Sequence, residues 1–199
     1  STLPPPLVAA HKARRLVPFV GAGLSLGPDV GGGFPTWRAL PGRLLEACEL
    51  HCVWADPRDG LTLRARFLEP DPAAPGRERP RPMPLDEMLR QLDQVKDKLG
   101  HDYPAALTAL FRPRDARPGA AHAAVMALDA PAVLTSNYDL LLEAADPDPA
   151  RQRYTHRQAT TALSDLRDGR PVLFKVHGSA EDAESVVLTL DEYRAAHAD

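Results

Sequence analysis

The chain has 199 residues, with 24 Lys and Arg against 27 Asp and Glu and a net charge of −3. That length carries one domain with a substantial core, and that charge supplies no global field for nucleic acid. No apolar run is long enough to span a bilayer, and Ser1-Thr2-Leu3 leading into prolines is not a secretory pattern, so no membrane partner is expected.

Two cysteines, Cys48 and Cys52, argue against a disulfide-rich secreted scaffold and lead to the expectation of a reducing cytoplasm. The start at Ser1 leads to the further expectation that the chain is a piece of a longer protein.

In chain order, Leu7 to Arg15 reads as a short helix with basic residues near its C-terminal end. The strand Leu16 to Val20 follows and ends in Gly21-Ala22-Gly23, with a hydroxyl at Ser25. Glycines there let a phosphate approach the main chain, and the N–H groups of such a turn form an anion site. Gly-x-Gly after an apolar run also occurs as a plain tight turn. Gly27 to Gly33 reads as a flexible loop closed by Phe34-Pro35-Thr36-Trp37, and Thr36 as the N-cap of a helix carrying Leu40, Leu44, Leu45 and Cys48 on one face.

The pattern breaks down from Cys52, and residues 52–118 read as a variable helical and loop insertion. Pro70 to Pro84 is expected to be an exposed loop, its Arg77, Arg79 and Arg81 solvated rather than gathered for a phosphate. Leu85 to Leu99 is the clearest amphipathic helix, with Asp86, Glu87 and Asp93 on its solvated side. Tyr103 to Phe111 and Gly119 to Leu128 are further helices, the latter holding a structural His122.

Pro131 to Ser136 is a second buried strand with Asn137-Tyr138-Asp139 at its end, then a helix over Leu140 to Ala145 and a turn at Asp146 to Pro149. Arg170 to Val176 is a third strand running into His177-Gly178-Ser179; Ser185 to Thr189 is read as a fourth, and Leu190 to Ala198 as a helix. Polar residues therefore follow three apolar strands separated by helices. This is the pattern of a Rossmann-like three-layer α/β/α fold with a mostly parallel sheet, whose ligands bind in one crevice beyond the strand ends.

Four motifs occur in order: Gly21-Ala22-Gly23-Leu24-Ser25, Phe34-Pro35-Thr36-Trp37, Thr135-Ser136-Asn137-Tyr138-Asp139 and Lys175-Val176-His177-Gly178-Ser179. Together they resemble the sirtuin superfamily, and the Pro-x-Trp and Asn-Tyr-Asp forms are similar to bacterial sirtuin-like domains that cleave NAD in antiphage defence. The resemblance implies a single NAD-binding domain over residues 1–199 that takes NAD+ as substrate and cleaves its nicotinamide–ribose bond. It implies Asn137 and His177 as catalytic residues. Gly21, Ala22, Gly23 and Ser25 would face the pyrophosphate, and Phe34 and Trp37 would wall the nicotinamide. Thr135, Asp139 and Gly178 complete the binding set.

The chemistry of the side chains is compatible with those roles. An amide at Asn137 both donates and accepts, Asp139 accepts from sugar hydroxyls or orients Asn137, and His177 titrates near neutrality as a base. Structural readings stand beside them: His177 bonded to a backbone carbonyl, Asn137 capping the helix after it, Trp37 in the core.

Deacylating sirtuins carry a zinc held by two cysteine pairs. Cys48 and Cys52 alone do not complete a tetrahedral site, and His51 points to another side of the helix, so no metal is expected. In the family, further strands follow the His-Gly element, whereas only Ser179 to Asp199 follow here, so the fold is expected to lack its C-terminal part.

The expectation is an NAD+ glycohydrolase effector switched by a sensor or regulatory domain or by homo-oligomerisation. The alternatives are an NAD-dependent protein deacylase and a non-catalytic module that binds NAD or ADP-ribose.

Overall fold

The computed structural model describes residues 3–50 and 56–196. In chain order the elements are α1 (Pro5–Lys12), β1 (Phe19–Val20), α2 (Leu40–Leu50), α3 (Pro57–Phe67), β2 (Leu68–Pro70), β3 (Glu78–Pro80), α4 (Leu85–Leu99), α5 (Tyr103–Phe111), α6 (Ala120–Met126), β4 (Ala132–Thr135), α7 (Leu141–Ala145), β5 (Gln152–Thr155), α8 (Ala159–Arg167), β6 (Val172–Lys175) and α9 (Leu190–Ala196). They form two compact units, one of Ser1–Phe34 with Phe111–Val186, the other of Pro35–Leu110 with Val187–Asp199.

The first unit is built on a parallel sheet of order β1-β4-β6-β5. Its central strands, β4 and β6, are apolar on both faces, as a sheet covered on both sides requires. Val133 and Leu173 turn to one face and pack with Met126, Ala130 and Leu142 beneath α6 and α7. The alternate residues Ala132, Leu134, Val172 and Phe174 turn to the other face, where Ala162 and Leu166 of α8 meet them around a cavity of about 210 Å³. Helices on both faces of a parallel sheet make the α/β layering that the motif order predicts.

The second unit is organised by α4, whose Met88, Leu89, Leu92, Val95 and Leu99 are buried along one stripe. The stripe packs against α2 and α9. Lys96 reaches Glu192 at 2.6 Å, while the other oxygen of that carboxylate accepts the N–H groups of Leu188 and Thr189 at the start of α9. Cys48 is fully buried, and burial pushes its thiol up to about 11.

Several expectations are corrected. The Pro70–Pro84 stretch is not all loop, because β2 and β3 pair antiparallel with Glu69 opposite Arg79 and their side chains joined at 2.7 Å. Arg64 of α3 bridges Glu49 and Glu78, so charge pairs hold a hairpin that hydropathy does not reveal. Ser185–Thr189 is not a strand. Ala183–Ser185 forms a 3-10 turn, with the Ser185 hydroxyl accepting from Ser179 N and donating to Asp182 O. The fourth strand of the sheet is β5, a polar segment to which the sequence reading assigns no element. Helix α3 falls in the insertion read as helical and loop without bounds of its own, and α8 has no counterpart in the sequence reading.

Candidate functional site

Parallel register decides what meets at the carboxyl end of the sheet. Val20 is level with Thr135, and Thr135 with Lys175. The ladder runs one residue further on each side, through Ser136 N to Val20 O and Val176 N to Thr135 O. Asn137 and His177 thus stand two residues beyond paired positions on neighbouring strands, with the Gly21–Ser25 turn beyond the next strand. The three polar clusters share one end of one sheet, the position where ligands bind in open α/β folds.

The turn folds back on itself, Leu24 N donating to Gly21 O and Ser25 N to Ala22 O, which carries Ser25 into the interior at 4% exposure. There its hydroxyl donates to Asp139 Oδ2 at 2.7 Å and accepts from Asn137 Nδ2 at 2.9 Å. The same amide donates to Gly21 O at 3.2 Å, and the Asn137 N–H goes to Thr135 Oγ1 at 3.0 Å. Asp139 spends its second oxygen on Leu141 N, at the start of α7. The Asn137 side chain goes to Gly21 and Ser25 instead of the first turn of that helix, and the capping reading of Asn137 falls.

Some groups in this network have no partner. Asn137 Oδ1 is buried and accepts nothing among the described residues. No hydrogen bond among the described residues takes up the N–H of Ala22 or Gly23. A Cβ added at Gly23 would meet nothing within 4 Å, and one at Gly21 would lie 3.4 Å from the Ser136 hydroxyl. Free donors beside a buried free acceptor suit a ligand carrying both anionic groups and hydroxyls.

Gly178 is fixed by packing. Its φ is +89°, and a Cβ there would fall 2.0 Å from the Ser185 carbonyl oxygen. His177 is half-buried at the mouth of this turn. Three residues beyond it, Ala180 N donates to Tyr138 O at 2.8 Å, tying the two loops together.

A cavity of about 350 Å³ opens beside Asp139, lined in part by Phe34, Phe111, Arg112, Leu140 and Leu141. The Phe111 ring packs on Tyr138 with centroids 4.8 Å apart. Phe34 thus joins this wall, whereas Trp37 belongs to the second unit, in the turn before α2. The glycine-rich loop reads as flexible in the sequence, yet the structure anchors it: Asp29 accepts Ala120 N at 2.7 Å, and Val30 O accepts Arg117 N at 2.9 Å. The Ala120 N–H holds the Asp29 carboxyl below its ordinary pKa. His122 is fully buried with Nδ1 accepting Gly119 N, and desolvation lowers its pKa against the opposing pull of Asp139 and Asp29.

Sequence reasoning missed Phe111, Arg112, Glu143 and Lys175. Lys175 stands at the head of the fourth motif, but the sequence reading gives it no role. Among the described residues no three His, Cys, Asp or Glu side chains are grouped to hold a metal ion; His51 and Cys52 lie outside them. No helix among the described residues is long and apolar enough to cross a membrane.

Residues 131–198 match the family model of the SIR2-like domain. The match supports a sirtuin-like family. It covers β4 to α9 and includes Thr135, Asn137, Asp139, Lys175, His177 and Gly178, while the Gly21–Ser25 turn, Phe34 and Trp37 precede it. No curated protein matches the chain.

Proposed function

We propose that the chain is an NAD+ glycohydrolase, the effector domain of a bacterial antiphage defence protein that acts by depleting NAD. SIR2-like domains use NAD+, and the matched segment carries both Asn137 and His177. The observation that carries the reading is the buried Asn137 amide. Its nitrogen is held by Ser25 and Gly21, and its oxygen is left without a partner at the sheet's carboxyl end.

In this reading the Ala22 and Gly23 N–H groups take the pyrophosphate and the cavity beside Asp139 takes the nicotinamide ring. Asn137 Oδ1 accepts from a water or ribose hydroxyl. The bond between ribose C1′ and the nicotinamide nitrogen breaks, its electron pair neutralising the ring's charge, through an oxocarbenium-like transition state. Water oxygen bonds to C1′, and His177 takes the proton that water gives up. A base in that role contributes on the order of a hundred- to ten-thousand-fold. A sensor domain or homo-oligomerisation would switch the activity on, since unregulated NAD loss kills the cell that makes the enzyme.

The test is chromatography of NAD incubated with the protein, without peptide, beside Asn137→Ala. Nicotinamide and ADP-ribose from the parent alone are expected. Nicotinamide released only with an acyl-lysine peptide would make the chain a deacylase, and thermal stabilisation by ADP-ribose without turnover would make it a binding module.

A further inference from the structure

Lys175 is the last residue of β6, two before His177, and is 3% exposed. An ammonium has three N–H donors, and all three are used. Nζ donates to Tyr138 O at 3.2 Å, to Asp139 O in a short bond, and to Glu143 Oε1 of α7 at 2.8 Å. The Glu143 side chain is 7% exposed. Two consecutive carbonyls of the Asn137–Asp139 turn are thus drawn toward the end of β6, on a cation whose charge a carboxylate of the following helix balances. Two side chains of the turn engage the other side: Asn137 and Asp139 both meet Ser25. The Ala180 N–H on Tyr138 O adds a second tie from the chain just past His177.

We propose that Lys175, balanced by Glu143, is the positioning residue of this site. It locks the Asn137–Asp139 turn to the strand that delivers His177, so that the two sides of the reacting centre keep a fixed separation. A buried ion pair is a poor device for stability, because desolvation offsets its attraction and an apolar pair of similar volume serves as well. Its value here is directional. No hydrophobic pair can hold two adjacent carbonyls at one point, and a misplacement of about 1 Å in a reacting constellation costs on the order of a hundred-fold in rate.

This inference rests on the glycohydrolase reading for its kinetic arm and on geometry alone for its second arm. The experiment compares the parent, Lys175→Met and the double variant Lys175→Met/Glu143→Leu, which leaves no unpaired buried charge. Nicotinamide release gives kcat and KM, and amide deuterium uptake is read over residues 136–142. The double variant is expected to melt near the parent, to lose kcat on the order of a hundred-fold with KM within a few-fold, and to exchange faster over 136–142. Parental kcat or parental exchange in the double variant overturns the proposal. So does failure of the double variant to fold, which would assign the pair to stability alone. If the parent itself releases no nicotinamide, the glycohydrolase reading fails and exchange over 136–142 alone decides the role of Lys175.

Discussion

Replacing Ser25 by alanine removes one buried oxygen and two hydrogen bonds, the donation to Asp139 at 2.7 Å and the acceptance from Asn137 at 2.9 Å. A bond to a carboxylate is worth about 1.5–3 kcal/mol and one between neutral groups about 1 kcal/mol. Ser25→Ala should therefore cost about 3 kcal/mol, or roughly 6–12 °C in melting temperature for a chain of this size. The assay is urea unfolding with an unchanged m-value, extended to a double-mutant cycle with Asp139→Ala. With Asp139 already truncated, removing the hydroxyl should cost about 1.5 kcal/mol less than it does in the parent. A loss below about 0.5 kcal/mol for Ser25→Ala, or strict additivity in the cycle, would refute the idea that one hydroxyl bridges the two site residues.

Gly178→Ala forces an L-residue into φ +89° with its Cβ 2.0 Å from a carbonyl oxygen. The left-handed conformation alone costs about 1–2 kcal/mol, so a drop of at least about 2 kcal/mol in urea unfolding is expected, and parental stability would contradict the packing. Gly23→Val should fold like the parent, since its Cβ direction is open, yet lose stabilisation by NAD in a thermal-shift titration. His122 is buried with its pKa lowered. The unfolded chain therefore binds its proton first, and stability should fall as pH drops below about 6.5 until the folded-state value is reached. His122→Gln should flatten that part of the pH profile of unfolding. Asp29 has the same sign of dependence in a more acidic range: its lowered pKa gives stability that is complete above about pH 4 and lost as pH falls through its own value. Asp29→Asn should remove that limb.

Much of this architecture is legible in the sequence. Leu85–Leu99 forms a helix over its predicted residues because its apolar side chains recur on one face. The end of each apolar strand in the first unit is marked in the sequence by a polar cluster, since a buried parallel strand must stop where polar residues begin. What escaped the sequence was held by pairing rather than by burial. β5 is Gln152-Arg153-Tyr154-Thr155, a sheet-edge strand with little apolar signal, and β2 and β3 are joined through Glu69 and Arg79. Lys175 and Glu143 looked like ordinary charges, because their burial becomes visible only once β6 is set beside β4 and α7 follows it. The reading of Ser185–Thr189 as a strand failed for the converse reason: an apolar run with no neighbour to pair with is buried by a turn instead.

The level ends of β4 and β6 also govern which sequence changes this domain can absorb. Side chains on a strand alternate between faces, so Asn137 and His177 depend on the parity of the residue count back to Thr135 and Lys175. A single-residue deletion within β4 exchanges its core and outer faces and withdraws Asn137 from Ser25, whatever residues remain. A two-residue insertion restores the faces but shifts the turn along the strand by about 6.6 Å, beyond the reach of the Lys175 ammonium. Drift by substitution is open to these strands, whereas drift in length is confined to the connections between them.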